Sequence, residues 1–415
     1  MIVNKKNIFS FIEEEDRRQK DNITLIASEN YTSKDVRKIN GSILTNKYAE
    51  GYPGKRYYGG CEVIDKIENA AIENLKKLFN VKYVNVQPHS GTQANIAAYN
   101  ALLNPGDKIL AMSLSSGGHL SHGASFNLSG KIYDTHFYNV SKKDYLIDYS
   151  EIEKIALKIK PKLIIAGASA YPRKIDFKKF NEIAKKVNAY LLADIAHISG
   201  LIAAGLHNSP VSYADVVTST THKTLRGPRS GIIMTNNEDI KIKIDKSIFP
   251  GTQGGPLENT IGAKAIAFYE ALSDEFKNYQ KKVIYNAKLM SKIFIENGFE
   301  IITGGTDNHL FLINTKNSIN KTGYEVQEKL KKINVIVNMN SLPFDSLETN
   351  VTSGIRIGTP AITTLEINEE QLVNFTKVII KVLKNFDNIK LEIEAKKNIK
   401  KLSNKLWRNK RDNYG

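Results

Sequence analysis

The sequence predicts an α/β protein: a mostly parallel central sheet with helices on both faces, followed by a smaller C-terminal α+β domain. Three observations predict it. Short apolar runs alternate with helical runs between residues 83 and 272, the pattern in which each helix returns the chain to begin a parallel strand. The texture changes near Phe276, where a long charged helix opens a region of shorter strands. Candidate chemical groups stand just after apolar runs, at the carboxyl ends of predicted strands, where open α/β sheets hold ligands.

Taken in order, the chain through Asn40 reads as a helical arm followed by an extended segment, and residues 1–50 are assigned to an N-terminal arm. Ile64, Ile67, Ala71, Leu75 and Leu78 recur at spacings of three and four, which predicts a helix. Strands are predicted at Tyr83–Gln87, Lys108–Ala111, Leu163–Gly167, Tyr190–Ala193, Val216–Ser219 and Gly231–Thr235. Helices are predicted at Thr92–Leu103, Tyr149–Lys158, Phe177–Val187 and Leu257–Leu272. These elements make a large domain over 51–275. A helix over Tyr279–Asn297 then leads into strands at His309–Asn314, Val335–Asn338 and Gly354–Gly358, and a helix over Glu369–Phe386. They make the smaller domain over 276–415.

With 415 residues, 41% hydrophobic and 25% charged, the chain is long enough for more than one core. The single cysteine, Cys61, excludes an internal disulfide framework and a cysteine-rich metal site. No secretory signal precedes Glu13-Glu14-Glu15-Asp16, and no apolar run is long enough to span a bilayer. A cytoplasmic protein with no membrane partner is expected. The net charge of +16 raises the question of nucleic acid, but the lysines are scattered in pairs such as Lys76-Lys77 and Lys185-Lys186. The densest basic stretch, Lys396 to Arg411, offers only Trp407 and nearby Tyr414 for base stacking. It reads as a solvated terminal helix, and no nucleic-acid partner is expected.

Four segments carry chemistry. His89-Ser90-Gly91-Thr92-Gln93 opens a helix, where backbone N–H groups and the helix dipole favour an anion. Its plain structural reading is a helix cap by Ser90 or Thr92. Gly117-Gly118-His119-Leu120-Ser121-His122-Gly123 lets the backbone approach a ligand and offers an imidazole to lie on a ring, or a satisfied loop histidine. Asp194, at a strand end and three residues before His197, can keep a pyridinium nitrogen protonated, or cap the next helix. No paired metal-ligand spacing is present, so no metal is expected. In Ser219-Thr220-Thr221-His222-Lys223-Thr224-Leu225-Arg226-Gly227-Pro228-Arg229, neighbouring cations favour the neutral amine of Lys223 that attacks carbonyls. Anion turn, ring-stacking imidazole, acid and amine together match the needs of pyridoxal phosphate.

The chain resembles the serine hydroxymethyltransferase family, fold-type I pyridoxal phosphate enzymes, from about Asp21 to at least Ile380. The motifs are Ala27-Ser28-Glu29-Asn30, LTNKYAEGYPGKRYYGGC from Leu44, HSGTQAN from His89, GGHLSHG from Gly117 and DIAHISG from Asp194. STTHKTLRGPR from Ser219, PGTQGGP from Pro250, GGTDNHLFL from Gly304 and TSGIRIGTPA from Thr352 complete them. The resemblance implies transfer of the serine hydroxymethyl group to tetrahydrofolate, leaving glycine. It implies Lys223 as the Schiff-base lysine, Asp194 on the ring nitrogen, His119 on the ring face, and Ser90, Gly91, Thr92 and His222 on the phosphate. Ser169 and His197 are implied at the ring hydroxyl, and Arg356 with Ser28 at the substrate carboxylate, where a planar bidentate donor fits best. Tyr48, Glu50 and Tyr58 are implied to reach the site from the other subunit of a homodimer, which also offers Gly255. Glu50 would manage a proton on the hydroxymethyl or folate side.

For folate the resemblance implies Leu114, Gly118, His119, Leu120, Asn340, Glu348, Thr349 and Asn350. Here the chain departs from the family pattern. It has Asn338-Met339-Asn340 where Asn-Lys-Asn is usual, Thr349-Asn350 where Pro-Phe is usual, and Asn259 where His is common. Losing an aromatic and a rigid proline should loosen folate binding, which leaves open a folate-independent β-hydroxy-amino-acid aldolase. A basic RNA-binding protein that keeps the enzyme fold is the other alternative.

Overall fold

The structure is a computed structural model and describes residues 4–410, so Arg411 and Tyr414 lie outside the described residues. The chain divides into two compact units. Thr32–Lys282 forms the larger, and Met1–Tyr31 with Val283–Gly415 the smaller. The divisions fall at 31/32 and 282/283, where the sequence placed them at 50/51 and 275/276. The N-terminal difference has a clear cause: Ile23 and Thr24 pair in parallel with Val335 and Ile336, so the first strand belongs with the C-terminal residues.

The larger unit is built on a seven-stranded sheet. Its order is Tyr83–Asn85, Gly231–Thr235, Val216–Thr220, Tyr190–Asp194, Leu163–Ala166, Lys108–Met112, Asp134–Tyr138. Every pairing from Val216–Thr220 through Asp134–Tyr138 is parallel. Gly231–Thr235 alone runs the other way, antiparallel to both neighbours. That reversal returns the chain after Thr220 through one short connection, so residues 221–230 stay at the carboxyl end of the sheet. The sequence predicts all of these strands except Asp134–Tyr138. This strand is at the sheet edge and only Tyr138 is buried in it, so its residues show no apolar run.

Helix Gly91–Leu102 covers the middle of this sheet. Ala94, Ala97 and Ala98 are fully buried and share a core with Ile109, Leu163, Leu192, Val216 and Ile233. Small side chains on that face let the helix lie close to the strands, which brings its N-terminus to their carboxyl ends. Side-chain oxygens close the helix starts: Ser90 accepts from Gln93 N, Asp148 from Ser150 N and Glu151 N, and Asp176 from Lys179 N.

The smaller unit holds a four-stranded antiparallel sheet in the order Glu300–Ile301, Leu310–Asn314, Gly354–Gly358, Asn338–Asn340. Its core joins Phe294, Phe299, Phe311, Ile313, Ile355 and Ile357 to Leu372, Phe375 and Ile379 of helix Glu369–Lys384. The last helix, Ile389–Arg408, buries Ala395, Ile399, Ser403, Leu406 and Trp407 at helical spacing. Ser403 Oγ donates to Lys20 O and Asn22 O, and the Trp407 ring meets Tyr31 edge-on at 4.7 Å. Lys396, Lys397, Lys400, Lys401 and Lys405 face solvent. Among the described residues no helix is long and apolar enough to cross a membrane.

Phe311 is fully buried, with its ring 6.0 Å from that of Phe294. Phe311→Ala should cost about 3–5 kcal/mol of stability through the lost transfer energy and the cavity left behind. Chemical denaturation of the two proteins checks this.

Candidate active site

The site in the larger unit is assembled at the carboxyl ends of its strands. Strand Tyr190–Asp194 ends on Asp194, and Val216–Thr220 runs on into Lys223. Lys108–Met112 is followed by two short 3-10 turns, Leu114–Ser116 and Leu120–His122, with His119 capping the second. Ser169 follows Leu163–Ala166 and donates its backbone N–H to Gly117 O at 2.7 Å, tying two of these loops together.

Asp194 is the electrostatic centre. One carboxylate oxygen accepts from Asn95 Nδ2 at 2.9 Å and lies 2.9 Å from His122 Nε2, and the other accepts from Ala196 N at 3.0 Å. Burial pushes its pKa up, but the hydrogen bond and charge of His122, then His119 and Asn95, hold it well below the usual carboxylate range. Asn95 is itself fixed, since Thr218 Oγ1 donates to its Oδ1 and its Nδ2 also meets Ser121 Oγ. Asp194 is therefore a fixed negative charge with little exposure to solvent.

The basic groups surround it in complementary states. Lys223 is buried and donates from Nζ to Thr220 Oγ1 at 3.1 Å. His119 Nδ1 lies 2.7 Å from Ser121 Oγ; burial and the charge of His122 pull this imidazole down to about 4. His222 is pulled down to about 3 by burial, Lys223 and Arg229. Both rings are neutral at physiological pH, which suits stacking and acceptance. His197 is buried, and its carbonyl accepts from Thr224 Oγ1 at 2.9 Å, locking the Asp194 loop to the lysine segment.

The helix start beside them has the chemistry of an anion cradle. Ser90 caps Gly91–Leu102, and a Cβ at Gly91 would sit 2.6 Å from Thr220 Cγ2, so only glycine lets this turn approach the lysine strand. Thr92 is half-buried in the same turn. His222 Nδ1 is buried without a hydrogen-bond partner among the described residues, a donor or acceptor left for a ligand. The donor set, the fixed carboxylate and the buried amine fit pyridoxal phosphate.

A second cluster in the larger unit gathers Tyr48, Glu50, Tyr58 and Gly255. Tyr48 OH donates to Glu50 Oε1 at 3.3 Å, the Tyr48 and Tyr58 rings meet at 5.0 Å, Gly255 lies against the Tyr48 ring, and Gly254 lies beside Glu50 Oε1. Both tyrosines are exposed. Leu114 and Leu120 are likewise exposed, while Gly118 is buried.

In the smaller unit Arg356 stands at the centre of Gly354–Gly358, paired with Leu312 and Asn338. Its Nε donates to Asn338 Oδ1 at 3.2 Å, and burial brings its pKa down to about 10, so it remains a cation at neutral pH. Gly358 N donates to Leu25 O, which sets the Ala27-Ser28 segment beside the arginine strand. Asn340 pairs with Gly354. Glu348, Thr349 and Asn350 are exposed on a loop organised by Asp345, whose carboxylate accepts from Leu342 N, Leu347 N, Ser353 N and Ser353 Oγ.

Sequence reasoning missed Asn95, His122 and Asp345 as site-shaping residues. His122 had a signal, a second histidine three residues after His119 on a tight turn. Asn95 closes the HSGTQAN motif, but its role exists only once the helix packs over Thr218. His119, His122 and Asp194 also bring three ligand-type atoms within 4.8 Å, a cluster that the sequence spacing does not display.

Comparison with known proteins bears on this site. The family model for serine hydroxymethyltransferase matches residues 2–379. A serine hydroxymethyltransferase of onion yellows phytoplasma is 55% identical over 403 residues, 97% of each chain. Others from Phytoplasma australiense and Mycoplasma mobile are 57% identical, over 92% and 93% of this chain and 93% and 92% of their own.

The neutral histidines set the sign of a pH effect. The unfolded chain protonates His119 and His222 near pH 6.5, whereas the folded, cofactor-free protein does so only near 4 and 3. Their contribution to stability should fall as pH drops from about 6.5 towards 4, by up to about 1.4 kcal/mol per pH unit for each. Urea unfolding at pH 7 and pH 5 should show a smaller drop for His222→Asn than for the wild type.

Proposed function

The chain belongs to the serine hydroxymethyltransferase family, and from that premise we propose how its own residues divide the work. The activity is interconversion of serine and glycine with tetrahydrofolate as the one-carbon partner, dependent on pyridoxal phosphate. The carrying observation is a buried carboxylate held charged, Asp194, at the strand end next to that of a buried amine, Lys223.

Bound pyridoxal phosphate supplies an electron sink for the substrate α-carbon. Lys223 would hold it covalently through its amine. Asp194 would keep the ring nitrogen protonated, and neutral His119 would cover the ring face. Ser90, Gly91 and Thr92 would offer the helix start to the phosphate, with the unpartnered nitrogen of His222. Ser169 and His197 would lie at the ring hydroxyl.

Arg356 binds the carboxylate of the amino acid, assisted by Ser28. Glu50 moves a proton on the hydroxymethyl or folate side. Leu114, Gly118, His119, Leu120, Asn340 and the Glu348–Asn350 loop are the folate-facing residues. The division of labour assigns cofactor binding to residues 51–275, within the larger unit, and a cytoplasmic setting fits the single buried thiol of Cys61.

A homodimer is part of this reading. Ile43, Tyr48, Tyr57, Tyr58 and Val63 are all exposed, Tyr57 and Ile43 by more than three-quarters. Such apolar exposure around Glu50 suits a second copy that receives Tyr48, Glu50, Tyr58 and Gly255.

Serine-to-glycine conversion measured with and without tetrahydrofolate tests the assignment, and folate-independent conversion alone would overturn it. Lys223→Ala should lose the visible absorbance of bound cofactor. Arg356→Ala should keep that absorbance and raise the serine KM by about 10- to 100-fold, the worth of charge-assisted hydrogen bonds. An unchanged KM would remove Arg356 from the carboxylate.

A further inference from the structure

Strand Tyr83–Asn85 stops four residues before the anion cradle. Residues 86–89 have left the ladder, yet 86–88 are buried and must find other donors for their carbonyls. Side chains supply them. Gln253 Nε2 donates to Gln87 O at 2.9 Å while its Oε1 accepts from His89 N at 3.0 Å. Ser230 Oγ donates to Pro88 O at 2.8 Å, and Gly231 N donates to the same carbonyl at 3.1 Å.

Lys264 completes the set from helix Glu258–Ala271. It is 1% exposed, and its Nζ donates to Val86 O, to Pro88 O at 3.3 Å and to Gly231 O at 3.0 Å. Three acceptors around one nitrogen require three protons, which among side chains only an ammonium provides. Burial pulls the Lys264 ammonium down to about 7, and nearby Glu68 and Glu258, the latter itself pushed up to about 8 by burial, offset part of that cost when charged. Glu68 is held in turn by Arg56 Nη2 at 2.6 Å and Gln87 Nε2 at 2.9 Å.

We propose that Lys264 is a positioning residue for the cofactor phosphate: it clamps Val86 and Pro88 to Gly231 and so aims the Ser90–Thr92 backbone at the anion. The proposal rests on the reading that this turn holds the phosphate. The geometry couples the two tightly, because a Cβ at Gly231 would lie 2.3 Å from Ser90 O. The strand that Lys264 grips is therefore in contact with the cradle's first residue. Loss of the ammonium takes a donor from Val86 O, Pro88 O and Gly231 O; Pro88 O keeps Ser230 Oγ and Gly231 N, but the tie that joins the three through one nitrogen is gone and the turn can shift.

The test uses the full-length holoenzyme with Lys264→Met and, as a milder change at the same carbonyl, Ser230→Ala. Pyridoxal phosphate affinity is read by reconstitution, and the bound phosphate by its phosphorus NMR shift. Lys264→Met should weaken the affinity at least about 10-fold, the scale of one buried unsatisfied acceptor, and displace the phosphorus signal. Ser230→Ala should displace the signal less, in the same direction, and decides the matter if Lys264→Met does not fold. Wild-type affinity and phosphorus shift in the variants, even with lower melting temperatures, would make Lys264 purely structural and overturn the proposal. Failure of the wild type to bind pyridoxal phosphate would instead overturn the underlying site assignment, and this inference with it.

Discussion

The larger unit depends on keeping one largely buried carboxylate charged. Asp194 achieves this through His122, Asn95 and the Ala196 N–H, and each of these partners is held by something else. Asn95 is fixed by Thr218 and Ser121, and His122 by the turn that begins at His119. A buried charge of this kind is costly unless it is fully hydrogen-bonded. The alanine face of helix Gly91–Leu102 is thus electrostatic in consequence as well as steric, because it brings Asn95 to the strand end.

The same logic governs the turn that leads into Ser90. Where a sheet ends, its carbonyls lose their partners, and this chain replaces the missing strand with single side chains from distant segments. Gln253, Ser230 and Lys264 come from three different elements and converge on four residues. The turn is held in place without extending the sheet, which would have covered it.

Much of this was legible in the sequence. The parallel strands announce themselves because both faces are buried, and the chemical motifs sit directly after them. Resemblance then attached roles to Lys223, Asp194, His119 and Arg356. The edge strand Asp134–Tyr138 was not legible, since a half-exposed strand with one buried residue has no periodicity to read. The roles of Asn95 and Lys264 were not legible either, for a different reason: each sits on a helix without a clear apolar stripe, and packing alone decides what it faces. Within the described residues the basic C-terminal stretch is a helix that turns Lys396, Lys397, Lys400, Lys401 and Lys405 to solvent, with Ala395, Ile399 and Trp407 buried at helical spacing; Lys410, just past it, is buried instead.

The pairing of Ile23–Thr24 with Val335–Ile336 sets an order of events during synthesis. The larger unit is continuous in sequence and can complete its sheet as soon as residue 282 has emerged. The smaller unit cannot, because its first strand waits for a partner more than 300 residues downstream. At ribosomal rates that interval is about 15–60 s. For that time Ile23 and Leu25, fully buried in the finished protein, are without their cover on the nascent chain. The amino-terminal segment is therefore the stretch of this protein most in need of a chaperone while translation is under way.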